Sequence, residues 1–231
     1  MPYGKRRQGQ TRIAAALAGA AFACLPHGGA VAHPHIWVDA GLEVYFDDQG
    51  QLAALRITWV YDEFFSMLLL SDLELDSGFS GTLTPEDRAA LQGFDMNWIE
   101  DYHGDVFVSL DDAALTLTGP LEWTSDLIEG QLVSTHLRAL ENRVAPDGGD
   151  IRIEVYDPTY YTSYRITGTP TVQGRTDCHV RIFEPDWDAA DDRLQAALDE
   201  MLGDGLDIEA DFPAVGRLFA DEARIECATS S

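Results

Sequence analysis

Two histidines one residue apart, His33 and His35, stand in the run His33-Pro34-His35-Ile36-Trp37-Val38-Asp39. Alternate residues of an extended strand share a face about 6.6 Å apart, near enough for two imidazoles to converge on one ion. Imidazole suits Zn, Cu and Ni. The run directly follows Ala30-Val31-Ala32, an A-x-A signal-peptidase site. Cleavage there makes His33 the first residue and adds a free α-amine to the donor set. The amine-terminal Cu and Ni site with His third in the chain also uses a deprotonated amide at residue two. Pro34 has no N–H, so that planar form is blocked and a looser site of amine, His33 and His35 is expected. Asp39, about 13 Å along an extended strand from His35, is too far to join it. The plainer reading is a solvent-exposed histidine pair at a frayed terminus.

A two-histidine site needs ligands from elsewhere. Asp62 and Glu63 follow a strand pattern that should return antiparallel to the histidine strand, which brings one of them beside His33 and His35. Both are equally at home at a helix N-terminus, where an acidic residue contributes about 0.3–1 kcal/mol. Asp157 continues the apolar face of Ile151, Ile153 and Val155, an unusual place for a carboxylate unless it caps a turn, is paired or ligates. His103, His136 and His179 read as surface or edge histidines. The loop Asp72 to Glu86 has the acidic spacing of a calcium loop, but Ser77 and Leu83 occupy the positions that need Gly and Glu.

Catalytic signatures are missing. The chain contains no H-E-x-x-H, no G-x-S-x-G and no Gly-rich phosphate loop. Its one lysine, Lys5, lies before the cleavage site, so Schiff-base chemistry is excluded. A non-enzymatic protein is expected.

Residues 36–46 alternate, with Ile36, Val38, Ala40, Leu42, Val44 and Phe46 on one face, which predicts a half-buried strand. The Asp47-Asp48-Gln49-Gly50 turn and the run Leu55 to Tyr61 complete a hairpin. Phe64 to Leu70 is apolar nearly all round and predicts a short, deeply buried helix. Thr84 and Pro85 open a second helix expected to reach about Tyr102. Strands are predicted at 106–110, 131–140 and 151–157, and around Cys178 and Cys227. A last helix should run from an Asp188 cap to Gly203. These elements predict one α+β domain over residues 33–231, a β-sandwich-like antiparallel sheet with a helical insertion at about 62–102 and one late helix.

Residues 1–32 read as a cleavable leader, with Lys5, Arg6, Arg7 and Arg12 ahead of the apolar stretch Ile13 to Leu25. That stretch is short of the roughly 20 residues that span a bilayer, so no stable membrane insertion is expected. The leader holds four of the 15 basic residues and none of the 40 acidic ones, leaving 11 against 40. Such an acidic chain repels phosphate backbones and anionic lipid, which argues against nucleic acid as a partner. After cleavage two cysteines remain, Cys178 and Cys227, each on the apolar side of a strand pattern. In an oxidising periplasm they should form a disulfide.

The runs Ala32 to Asp39, Tyr61-Asp62-Glu63-Phe64-Phe65-Ser66 and Tyr156-Asp157-Pro158-Thr159-Tyr160 resemble a bacterial family of unknown function, domain of unknown function 1007. It is catalogued as the periplasmic component of an uncharacterised ABC-type transport system. The resemblance spans the mature chain and implies a periplasmic protein associated with nickel/cobalt-type exporters or zinc-responsive genes. Together with the histidines it leads to a metal-binding accessory of a transition-metal transporter: Zn first, then Ni or Co, with an inner-membrane metal permease as partner. A copper-binding periplasmic protein and a metal-free module that docks a permease are the alternatives.

Overall fold

The computed structural model describes residues 33–229 apart from 77, 79, 100, 101 and 205–211. Residues from Ala32 onward form one compact unit. The expected leader and its cleavage site lie outside the described residues.

The chain opens with β1 (Ile36–Phe46) and β2 (Leu52–Tyr61), then α1 (Glu63–Asp72) and α2 (Pro85–Leu91). Strands β3 (Val106–Leu110), β4 (Ala113–Leu115), β5 (Leu121–Ile128), β6 (Gln131–Val144) and β7 (Asp150–Val155) follow. Next come β8 (Thr162–Ile166), β9 (Thr171–Gln173), β10 (Cys178–Phe183), α3 (Trp187–Asp204) and β11 (Asp221–Cys227). The α+β class matches expectation, but there are two sheets where one was expected. The first has the order β5-β6-β2-β1-β8, with β9 also on β1; the second is β10-β11-β7-β3-β4. The first is not purely antiparallel, because β8 and β9 both pair with β1 in parallel. One apolar cluster draws on both sheets, including Ala40, Val44, Leu55 and Ile57 from the first and Ile151, Ile153, Ala223 and Ile225 from the second.

The alternating pattern of β1 places Val38, Ala40, Leu42, Val44 and Phe46 in this core, as the period of two requires. Cys178 and Cys227 face each other in the β10–β11 register and are joined by a disulfide. Among the described residues no helix is long and apolar enough to cross a membrane.

Three helical expectations need correction. Helix α1 forms but is not deeply buried: Phe64 is 63% exposed, and Met67 and Leu68 also face outward, because only Ser66 and Leu70 turn wholly inward. Helix α2 has its Thr84 capping box and Pro85 first turn, yet it ends at Leu91, eleven residues short of Tyr102. Gly93 adopts φ 73°, a left-handed conformation that stops helices, so Phe94 packs inward from a turn and Trp98 from irregular chain. Helix α3 starts at Trp187, and its cap is Asp186, whose carboxylate accepts from Ala189 N at 3.1 Å. Asp188 lies inside the first turn.

Candidate functional site

Three chain segments meet at the N-terminal end of β1. Strand β2 pairs antiparallel with β1, Val38 opposite Tyr61, so the chain leaving β2 passes Trp37. There Asp62 ties the two together. Its backbone N–H donates to Trp37 O at 2.9 Å, and its Oδ2 accepts from Trp37 N at 2.9 Å. Its Oδ1 accepts from Phe65 N at 2.8 Å as the N-cap of α1. On the other side β8 runs parallel, Ile36 beside Thr162, and His35 N donates to Tyr161 O at 2.8 Å. The turn carrying Tyr161 is closed by Asp157. Its Oδ1 accepts from Thr159 N and Oγ1, both at 2.8 Å, and its Oδ2 from Thr162 N at 3.0 Å.

The histidine pair sits between these clasps. The rings of His33 and His35 have centroids 4.8 Å apart and stand at 77° to each other. Tyr161 packs 4.7 Å from His35 and 5.6 Å from His33, and Phe212 lies 3.9 Å from His33. His33 is buried while His35 is exposed. Beside His35 opens a cavity of about 310 Å³ whose walls include Phe64, Leu68, Asp72 and Tyr161. Phe64, Leu68 and Tyr161 are exposed apolar or aromatic groups of its lining, and Trp37, two residues from His35, is exposed as well.

Of the five residues singled out as ligands, the fold brings His33 and His35 into ring contact, and it bonds Asp62 to Trp37, two residues along the chain from His35. Both oxygens of Asp62 and both of Asp157 accept from the protein's own groups, so each carboxylate holds the local backbone. Glu63 begins α1 and points to solvent. Among the described residues no group of three or more His, Cys, Asp or Glu side chains is placed to hold a metal. Two imidazoles fit a late transition metal as a partial donor set. Tyr161 belongs to an aromatic-rich turn visible in the sequence, whereas Phe212 carried no signal that pointed here. In the acidic loop, Asp76 turns its carboxylate onto Ser80 N and Gly81 N, both at 2.8 Å.

A second polar cluster lies on the inward face of β6. His136 is fully buried, which corrects its reading as a surface or edge residue; His103 and His179 are exposed as expected. The His136 ring lies 5.8 Å from Trp59 and 5.5 Å from Trp98, and no described protein group bonds either nitrogen. Burial, with Arg138 and Arg56 nearby, pushes its pKa down to about 3. Asp95 accepts from Tyr61 Oη at 2.8 Å and from Ser134 Oγ, and burial raises its pKa. Asp105 accepts from Tyr102 Oη at 2.9 Å and Tyr164 Oη at 2.7 Å, and burial pushes it up to about 6. Sequence alone hid this cluster because its strand face, Ser134, His136 and Arg138, looks solvated.

No curated protein matches the chain. The three motif runs that converge on β1 all fall within residues 18–227, the span matched by the family described as "Protein of unknown function (DUF1007)", and the chain belongs to that family.

Proposed function

We propose that this chain is a non-enzymatic, periplasmic accessory protein of a transition-metal transport system, binding Zn, or Ni or Co, through His33 and His35. The observation that supports the reading is the ring contact of His33 with His35 at the end of β1, where the backbones of the other two motif regions are also bonded. Asp62 and Asp157 are the positioning residues: one fixes the strand that carries the histidines, the other the turn that carries Tyr161. Glu63, exposed at the start of α1, is the remaining acidic candidate. Removal of residues 1–32 would add the α-amine of His33 as a further nitrogen donor, which also keeps a copper-binding protein as the alternative identity of the metal.

A second reading rests on the exposed Phe64, Leu68 and Tyr161 that line the adjoining cavity, with Trp37 exposed two residues from His35. Clustered exposed apolar groups of this kind mark interaction surfaces. Here they would dock an inner-membrane permease without metal. The two readings separate in one experiment. Protein exported and processed by the cell, its N-terminus fixed by mass spectrometry, is titrated with Zn, Ni, Co and Cu beside a His35→Ala variant. One equivalent of one metal, lost in the variant, supports the metal reading. Absence of binding by correctly processed protein overturns it and leaves the docking reading.

A further inference from the structure

Arg138 on β6 is a buried cation that has no ion-pair partner among the described residues. The residue is 3% exposed. Its Nε donates to Thr118 O at 2.9 Å and its Nη1 to His103 O at 2.6 Å. The ring of Trp98 lies against the guanidinium, with Cζ 5.0 Å from the centroid. Among the described residues nothing accepts from Nη2, and no carboxylate stands within ion-pair distance. Asp105 acts on Arg138 only through space, its Oδ2 being occupied by two tyrosine hydroxyls. Burial lowers the guanidinium pKa to about 10, so it remains charged at neutral pH. Carbonyls and a π face relieve part of the desolvation of such a charge, and an anion would relieve the rest.

Arg138 lines a cavity of about 270 Å³ whose other walls include Val106, Phe107, Leu115 and Leu117. We propose that this cavity binds a small amphipathic monocarboxylate, its head on Nη2 of Arg138 and its alkyl chain against those four apolar residues. Nη2 carries two N–H groups, enough to hold one carboxylate head by charge-assisted hydrogen bonds, and the single positive charge matches a monoanion. A dianion such as a phosphate monoester would bring a second charge against apolar walls in a chain whose formal net charge is −25. The cavity shares no lining residue with the one beside His35, so the inference stands apart from the metal reading.

The test is titration of the full processed chain with hexanoate and, in parallel, with 1-hexanol, followed by amide chemical shifts. Two variants accompany it. Thr116→Trp fills the cavity from an exposed position just after β4, whose carbonyl accepts from Glu141 N at 2.9 Å. Arg138→Met removes the charge. Saturable binding of one hexanoate is expected, with hexanol about tenfold or more weaker, since a charge-assisted bond contributes at least that factor. Thr116→Trp should abolish hexanoate binding with an unchanged thermal melt, and Arg138→Met should erase the preference over hexanol. Equal affinity for hexanol, unimpaired binding in Thr116→Trp, or no saturation by about 10 mM hexanoate would overturn the proposal. If Arg138→Met does not fold, the hexanol comparison and Thr116→Trp decide the matter by themselves.

Discussion

Replacing Asp62 by Ala separates a scaffold carboxylate from a metal ligand. The side chain accepts two backbone N–H groups, from Phe65 at 2.8 Å and from Trp37 at 2.9 Å. Loss of the N-cap bond should cost about 1 kcal/mol, the usual figure for such a truncation. The Trp37 bond reaches a charged acceptor, which would contribute about 1.5–3 kcal/mol if buried, and is discounted here to about 1 because the contact is exposed. The sum is about 2 kcal/mol. With a urea m-value of about 2.5 kcal/mol/M for a domain of this size, the unfolding midpoint should fall by about 0.8 M. Asp62→Asn keeps one acceptor oxygen and turns an NH₂ toward the other N–H, so it should lose roughly half as much. Zinc affinity of the folded fraction, read by calorimetry well below the transition, should stay within about twofold in both variants. A midpoint unchanged within about 0.2 M, together with a tenfold loss of zinc affinity, would refute the scaffold assignment and make Asp62 a ligand.

Other outcomes follow from the same geometry. Reduction of the Cys178–Cys227 bond, which closes a separation of 49 residues, should lower stability by about 4 kcal/mol in the chain-entropy account, measured as urea melts with and without reductant. Asp105, raised to about 6 by burial, holds a proton in the folded state over the range from about pH 4 to 6 where the unfolded chain has released it. Its contribution therefore falls as pH rises through that window, by on the order of 2–3 kcal/mol, and Asp105→Asn should remove this slope from a pH series of melts. His136 acts in the opposite sense. With its pKa depressed to about 3, the unfolded chain takes up the proton first as pH drops below 6.5, so stability is lost on acidification and His136→Phe should flatten that loss. Gly216→Ala would put a Cβ 1.7 Å from Asp157 O, a backbone atom that cannot step aside. That change should destabilise by about 1–3 kcal/mol or more by thermal melt.

Much of the architecture was legible where burial is one-sided. The β1–β2 hairpin followed from strict alternation, and the disulfide from two cysteines on apolar strand faces. The misreadings share a physical cause: residue type does not reveal what covers it. Phe64, Met67 and Leu68 looked like core, but the Asp62 cap fixes where α1 starts and leaves them outside. Ser134, His136 and Arg138 looked like a wet face, but Trp98 packs against both His136 and Arg138 from a segment that sequence had assigned to a helix. Strand β5 gave no alternating signal because only Ser125 and Leu127 of its eight residues are buried. The end of β1 was partly foreseen: antiparallel return brought Asp62 to the histidine strand, whereas the parallel neighbour β8 that delivers Tyr161 leaves no local trace.

The parallel pairing of β8 and β9 with β1 also sets the order in which the fold can close. The first strand of the domain lies between β2 and partners that arrive more than 120 residues later, Ile36 against Thr162 and Glu43 against Thr171. In the second sheet the last strand, β11, takes an interior place between β10 and β7. The first sheet is not complete until Gln173 and the second not until Cys227, so contacts distant in sequence dominate and folding should be slow for the size. A chain built this way cannot settle into a stable half while it is still emerging. If the chain is exported, as the proposed periplasmic role requires, and crosses unfolded, that delay would keep it open for passage.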